Sequence, residues 1–102
     1  MVIKEISPID FYKRYLSCKR IVIIDIRSSD EYISYHLEDS INIPVNKLIK
    51  EYPILLNKTT QYYLVCNDGN KSKYISKMLQ EEGYNVVRVI GGVRCWRGEF
   101  VS

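Results

Sequence analysis

The sequence predicts an α/β domain with a mostly parallel central sheet of about five strands and helices on both faces. Short apolar runs alternate along the chain with amphipathic, helix-like segments. The run Ile21–Ile26 is apolar except for Asp25, the pattern of a parallel strand covered on both sides. A length of 102 residues with 46% hydrophobic content suits a single packed core, so we expect one domain over residues 1–102.

Each predicted element is bounded by recognisable end signals. Ser7 and Pro8 suit the N-cap and first position of a helix whose residues Phe11, Tyr15 and Leu16 lie near one face. Gly83 is expected to stop a helix. In chain order the prediction is a strand at Val2–Ile6, a helix to about Leu16, a strand at Ile21–Ile26, a short helix from Ser28 and Ser29, a strand at Ser40–Ile43, a helix at Val45–Tyr52 before Pro53, a strand at Gln61–Val65, a helix at Ser72–Glu82, a strand at Val86–Ile90 and a short terminal helix with Trp96 as a core anchor.

Composition and charge argue against several classes of protein. The net charge is +3 and the basic residues are dispersed, so we expect no nucleic-acid partner. No apolar stretch approaches the ~20 residues that span a bilayer, and the first ten residues lack an apolar signal core, so we expect a cytoplasmic protein with no membrane partner. Cysteines at positions 18, 66 and 95 do not suit a disulfide framework or paired zinc ligands. We therefore expect reduced thiols, no metal and no cofactor.

The segment Tyr62–Ser72 carries the strongest chemical signal. An apolar run ends in Cys66, a short loop containing Gly69 follows, and a helix-like stretch begins at Ser72. Backbone N–H groups of such a loop converge on one point, and the helix dipole adds partial positive charge there. Because the thiolate is the nucleophilic form of cysteine, this placement predicts a reactive sulfur.

Motifs along nearly the whole chain, from about Ile6 to Trp96, support a family resemblance. They are Ile24-Asp25-Ile26-Arg27, Glu31-Tyr32, His36-Leu37, Ile41-Asn42-Ile43-Pro44, Cys66-Asn67-Asp68-Gly69-Asn70-Lys71-Ser72, Gly83-Tyr84, Val86 and the ending Gly91-Gly92…Trp96. In order and spacing these motifs resemble the rhodanese-like domain. The resemblance implies a small single-domain sulfurtransferase whose cysteine carries a persulfide sulfur from a small anionic donor such as thiosulfate to a thiol, cyanide or protein acceptor. We expect a monomer or weak dimer.

The site residues follow from the loop and from the resemblance. Catalysis is assigned to Cys66, and the resemblance suggests that Asp25 and Arg27 brace the neighbouring loops. Donor binding is assigned to Asn67, Asp68, Gly69, Asn70, Lys71 and Ser72. The sequence departs from the family pattern at Tyr35 and Asp39, where glycine is usual, at Lys71, where arginine is common, and at Cys95, where a small residue is common. Positive charge at the mouth is expected from Lys71, with Lys73, Lys77, Arg94 and Arg97 as further candidates, and Asp68 opposes it.

Two other classes of function remain open. A cysteine phosphatase or arsenate reductase of related fold uses the loop C-x-x-x-x-x-R, whose arginine binds the oxyanion as a fork. The sixth residue after Cys66 is Ser72, and the loop contains no arginine, so the sequence disfavours this class. A persulfide carrier or binding module that serves a protein partner is compatible with the sequence. We expect His36 to cap local backbone and Cys95 to be a packing residue.

Overall fold

The computed structural model describes residues 3–17 and 20–102. Its strands are β1 (Glu5–Ile6), β2 (Val22–Asp25), β3 (His36–Leu37), β4 (Ser40–Asn42), β5 (Gln61–Val65), β6 (Asn85–Val89) and β7 (Phe100–Val101). Its helices are α1 (Pro8–Ser17), α2 (Ser29–Ser34), α3 (Val45–Leu55) and α4 (Asn70–Glu81), and a 3₁₀ turn spans Gly92–Cys95. Five parallel strands form one sheet in the order β1-β6-β5-β2-β4. The predicted α/β class and central sheet are confirmed.

Apolar side chains cover both faces of this sheet. On one face Leu48 of α3 and Leu79 of α4 pack with Leu64 of β5. On the other face Phe11 of α1 and Trp96 pack with Val65 and neighbouring strand residues. Trp96 is 8% exposed, and its ring centroid lies 5.5 Å from that of Phe11, so it anchors this second core as predicted.

The predicted N-terminal elements are correct in type and differ in detail. The Oγ of Ser7 accepts a hydrogen bond from the N–H of Asp10 at 3.2 Å, as expected of an N-cap. Strand β1 covers Glu5–Ile6, whereas Val2 lies outside the described residues. Leu16 was expected near the same face as Phe11 and Tyr15, but it is 65% exposed whereas Phe11 is buried. The rings of Tyr12 and Tyr15 contact Trp96 instead, so the face of α1 that packs against the core does not include Leu16.

Two helix boundaries predicted from sequence were wrong. Helix α3 continues through Pro53 to Leu55, because a proline near the end of a helix removes only one of its hydrogen bonds and the N–H of Leu56 still bonds to the carbonyl of Tyr52 at 2.9 Å. Helix α4 begins at Asn70 and not at Ser72. The residue before it, Gly69, has φ = 92° and turns the chain directly into the helix.

A second, two-stranded sheet was not predicted. Strands β3 and β7 pair in antiparallel fashion, with His36 opposite Val101 and Leu37 opposite Phe100. Two-residue strands carry too little periodic pattern to be recognised from sequence. Asp39, at a place where the family resemblance implies glycine, has φ = 69°, so an aspartate provides the left-handed turn before β4.

The strand order fixes where a site can form. From β2 the chain moves outward to β4 and then returns to the other side of β2 as β5. Ligands of open parallel sheets bind beyond the carboxyl ends of the strands at such a reversal. The residues after β2 and β5 include Arg27 and Cys66, which both lie at this edge.

Candidate active site

Cys66 directly follows β5 and lies in a pocket of about 230 Å³. The residue is 3% exposed, and it forms part of the wall of this pocket. The pocket is lined by Arg27, Glu31, Cys66, Asn67, Asp68, Asn70 and Lys71. Five residues of the predicted catalytic and donor-binding set therefore line one cavity, together with Arg27 of the predicted bracing pair.

Two backbone amides point at the cysteine sulfur. The N–H of Gly69 donates to Cys66 Sγ at 3.1 Å, and the N–H of Ser72, in the first turn of α4, donates at 3.4 Å. The Ser72 hydroxyl donates to the carbonyl of Gly69 at 3.0 Å and is not directed at the sulfur. The N–H of Asn70 donates to Asp68 Oδ1 at 3.0 Å. Fixed N–H donors at a helix start stabilise negative charge on the sulfur.

The turn Gly91-Gly92 supports this loop from behind. The N–H of Val93 donates to the carbonyl of Cys66 at 2.8 Å, and the N–H of Arg94 donates to the carbonyl of Asn67 at 3.2 Å. A Cβ atom on Gly92 would lie 2.1 Å from the Cys66 carbonyl oxygen, so only glycine permits this approach. The first residues of the 3₁₀ turn thereby fix the backbone that carries Cys66.

Asp25 and Arg27 form a buried ion pair at the end of β2. Arg27 Nη2 donates to Asp25 Oδ2 at 2.8 Å and to the carbonyl of Tyr35 at 2.7 Å. The Nδ2 of Asn42 donates to the carbonyls of Asp25 and Arg27, each at 3.0 Å. Burial disfavours the charged guanidinium, but the hydrogen bonds and charge of Asp25 outweigh it, and the pKa of Arg27 lies above its ordinary value. The pair connects β2 to the segment before β3. Its bracing role stays a prediction.

The pocket wall carries charges of both signs. Lys71 contributes positive charge, Glu31 and Asp68 contribute negative charge, and the charge of Arg27 is compensated by buried Asp25. The amide of Asn67 donates to Glu31 Oε2 at 2.8 Å and, together with the N–H of Ser28, keeps the pKa of Glu31 below its usual range. The N–H of Asn70 lowers the pKa of Asp68. Both carboxylates are therefore ionised at neutral pH, and the wall has no excess positive charge.

Several side chains considered from the sequence lie outside the pocket wall. The Nδ1 of His36 lies 2.7 Å from the carbonyl of Tyr32, and the two rings stack at 3.7 Å, so His36 contacts local backbone as expected. Cys95 was expected to be a packing residue but is exposed, so that prediction was wrong; Cys18 lies outside the described residues. The remaining basic candidates are absent from the wall among the described residues; they are Lys73, Lys77, Arg94 and Arg97.

Three residues near Cys66 were not assigned to the site from sequence. Glu31 lines the pocket, Gly92 allows the turn to approach the loop, and Arg88 donates through Nε to the carbonyl of Gly69 at 3.0 Å. Glu31 and Gly92 belong to motifs that carry the family resemblance. These motifs marked both residues in the sequence but did not assign either of them to the site. Arg88 lies in an apolar strand, and its charge within Asn85–Val89 was the signal available.

Over residues 3–17 and 20–102, no group of three or more His, Cys, Asp or Glu side chains is arranged to hold a metal ion. None of the helices described there is long and apolar enough to span a membrane. A larger, open depression of about 510 Å³ is lined by residues of β1 and α1 and by Gln61 at the start of β5, at the opposite end of that strand from Cys66.

Comparisons with known proteins agree with this architecture. A family model for the rhodanese-like domain matches residues 8–99. The chain therefore belongs to the rhodanese-like domain family.

Individual relatives and a solved structure give the same result. A protein of Bacillus subtilis named putative sulfurtransferase YtwF is 30% identical over 99 residues, which cover 97% of this chain and 95% of that protein. A protein of Ogataea parapolymorpha named adenylyltransferase and sulfurtransferase uba4 is 40% identical over 75 residues, 72% of this chain but only 19% of that protein. The crystal structure of a rhodanese-related protein from Thermoplasma volcanium superposes with a TM-score of 0.85 at 28% identity, covering 96% of this chain and 97% of that one.

Proposed function

We propose that this chain is a sulfurtransferase that moves a sulfane sulfur through a persulfide on Cys66. The observation that carries the proposal is a buried sulfur that receives two backbone N–H groups in a small, partly open pocket. The Bacillus subtilis relative aligns with this chain over nearly the full length of both proteins. Its name, putative sulfurtransferase, supports the same reaction class.

The first half-reaction is attack of the Cys66 thiolate on the outer sulfur of a small anionic donor. With thiosulfate, a bond forms between Sγ and the outer sulfur while the sulfur–sulfur bond of the donor breaks. The electron pair of that bond leaves with sulfite. Cys66 then carries a persulfide anion, and no proton is removed during the step when the thiolate is the attacking form.

The second half-reaction returns the enzyme to its starting state. A thiophilic acceptor such as cyanide attacks the outer sulfur of the persulfide, the bond to Sγ breaks, and the thiolate of Cys66 receives the electron pair. The product with cyanide is thiocyanate. The amides of Gly69 and Ser72, which both point at Sγ, stabilise the negative sulfur that leaves the persulfide in this step.

Positive charge in the pocket wall attracts the anionic donor. Lys71 lies in the first turn of α4, is exposed and lines the pocket, so we assign it to anion attraction. Arg27 lies in the same wall but is committed to Asp25 and to the Tyr35 carbonyl. Because Glu31 and Asp68 oppose both cations, thiosulfate is expected to bind weakly.

A second candidate function is sulfur delivery to a protein. The lack of excess positive charge in the pocket wall is the observation that favours it, since strong preference for a small dianion would require such an excess. In this case Cys66 forms the same persulfide, and the acceptor is a nucleophilic group of a partner protein. A phosphatase or arsenate reductase is disfavoured because the sixth residue after Cys66, Ser72, is a serine whose hydroxyl is bonded to Gly69.

The cellular setting that we propose follows from thiol chemistry. A cysteine that cycles between thiolate and persulfide requires reduced thiols, which are maintained in the cytoplasm. We therefore place the protein in the cytoplasm. We propose in addition that it is a monomer or weak dimer that acts without a cofactor.

Turnover by a single variant tests the proposal. Cys66→Ala is expected to abolish transfer of sulfur from thiosulfate to cyanide while retaining the far-UV circular dichroism and melting temperature of a folded protein. Thiocyanate is measured as its coloured iron complex. If the folded variant produces thiocyanate at more than a tenth of the wild-type rate, Cys66 is not the carrier. A tenfold loss of rate corresponds to an increase of only about 1.4 kcal/mol in the activation free energy.

A further inference from the structure

Arg88 links the cysteine loop to the edge of the central sheet. Its Nε donates to the carbonyl of Gly69 at 3.0 Å, and its Nη1 pairs with Oε2 of Glu5. Glu5 of β1 is the register partner of Arg88 in β6, so the two side chains leave the sheet side by side. The Arg88 side chain is 13% exposed, which places most of the guanidinium and its stem inside the protein.

The conformation of Gly69 decides which of its polar groups faces the sulfur. At φ = 92° its N–H donates to Cys66 Sγ, and its carbonyl points away, toward Arg88 Nε and the hydroxyl of Ser72. Glycine is required here, since a Cβ would lie 2.9 Å from the backbone nitrogen of Gly91. Glycine also has more backbone freedom than any other residue, so this orientation needs restraint from its neighbours.

We propose that Arg88 is a positioning residue for sulfur transfer, which holds the Gly69 amide on the Cys66 sulfur, and that Glu5 orients its guanidinium. The inference rests on the proposed function for its catalytic meaning. Among the described residues Arg88 does not line the pocket, so it acts through Gly69 and not through contact with the donor. A charged guanidinium bonded to a carbonyl is a stronger restraint than the neutral hydroxyl of Ser72.

A donor-independent experiment separates positioning from a purely structural role. The rate at which iodoacetamide alkylates Cys66 is measured by peptide mass mapping at about pH 7 and at about pH 9.5, where most thiols are ionised. In Arg88→Met, which keeps the apolar stem and loses every donor, the rate at pH 7 is expected to fall about three- to tenfold. The rate at pH 9.5 is expected to stay within about twofold, because free thiols are mostly ionised there without help from neighbouring donors.

Two further variants and a control define the result. Arg88→Lys offers one flexible donor in place of a planar fork, so its rate at pH 7 is expected to lie between those of Arg88→Met and wild type. Glu5→Gln keeps an acceptor for Arg88 and is expected to lower the rate about twofold. Arg20→Met removes an exposed arginine far along the chain from the loop and is expected to behave as wild type.

The outcomes distinguish this inference from the proposed function. An alkylation rate at pH 7 for Arg88→Met equal to that of wild type overturns the positioning role, even if the variant is less stable. If Arg88→Met does not fold, Arg88→Lys decides in the same way. If the variants behave as expected but wild type forms no persulfide with thiosulfate, the positioning role stands and the thiosulfate reaction fails. A drop of kcat with little change in KM for thiosulfate in Arg88→Met would support both.

Discussion

Removal of the Arg27 guanidinium is expected to be the most destabilising single change near the site. In Arg27→Met the carboxylate of Asp25 stays buried and loses its counter-charge, because the two side chains are 1% and 0% exposed. The carbonyl of Tyr35 also loses its donor, which lies at 2.7 Å in the native protein. Breaking a buried ion pair by removing one partner costs about 3–5 kcal/mol.

That cost is a large share of the stability of a domain of this size. Domains unfold with about 5–15 kcal/mol, and near 100 residues each kcal/mol moves the melting temperature by about 4 °C. Arg27→Met is therefore expected to melt roughly 12–20 °C below wild type. The measurement is urea unfolding at about pH 7, followed by circular dichroism, with calorimetry for the melting temperature.

A double variant identifies the cause of the loss. Arg27→Met combined with Asp25→Asn leaves no buried unpaired charge, so it is expected to unfold with a higher free energy than Arg27→Met alone. Arg20→Met, at an exposed arginine, is the matched control and is expected within about 0.5 kcal/mol of wild type. If Arg27→Met loses less than about 1 kcal/mol, or if the double variant is no more stable than the single one, the ion pair does not have the bracing role argued for it.

Three further predictions concern the loop and the other cysteines. Lys71→Ala is expected to raise KM for thiosulfate about two- to fivefold with a smaller effect on kcat, and Lys71→Arg to be tolerated; a pure loss of kcat would instead assign Lys71 to stabilisation of the transition state. Cys95→Ser and Cys18→Ser, singly or together, are expected to retain most activity in the thiocyanate assay, and loss of turnover with persulfide still forming on Cys66 would reveal a relay thiol. Insertion of one residue after Gly69 is expected to weaken sulfur transfer, because the Gly69 and Ser72 amides would no longer point at the same sulfur atom. The wild-type protein is expected to show negligible hydrolysis of an aryl phosphate. Rapid hydrolysis that disappears in Cys66→Ser would indicate a phosphatase.

Much of the fold was predictable because its elements carry strong local signals. The strand Gln61–Val65 was predicted with its observed bounds, since an apolar run ends sharply at the polar loop after Cys66. The end of α4 was predicted within one residue, because Gly83 provides a turn in which its N–H and that of Tyr84 bond back to the helix at 3.0 Å each. The alternation of strands and helices was then sufficient for the α/β class.

The parts that sequence did not reveal depend on contacts between distant segments. The start of α4 at Asn70 follows from the left-handed conformation of Gly69, which is packed against Gly91. Part of the negative charge in the pocket wall comes from Glu31 of α2, which contacts the loop after β5 through Asn67. The restraint on Gly69 by Arg88 joins residues nineteen positions apart. A short stretch of sequence contains no pattern that reveals such contacts between distant segments.

The central claim is that Cys66 carries the transferred sulfur, and mass spectrometry tests it most directly. The protein is incubated with thiosulfate, freed of donor, and measured intact and then as peptides. We predict one added sulfur atom per chain, located on the peptide that contains Cys66 and removed when cyanide is added. An unmodified Cys66 peptide, or the added sulfur on the peptide that contains Cys95, would contradict the account.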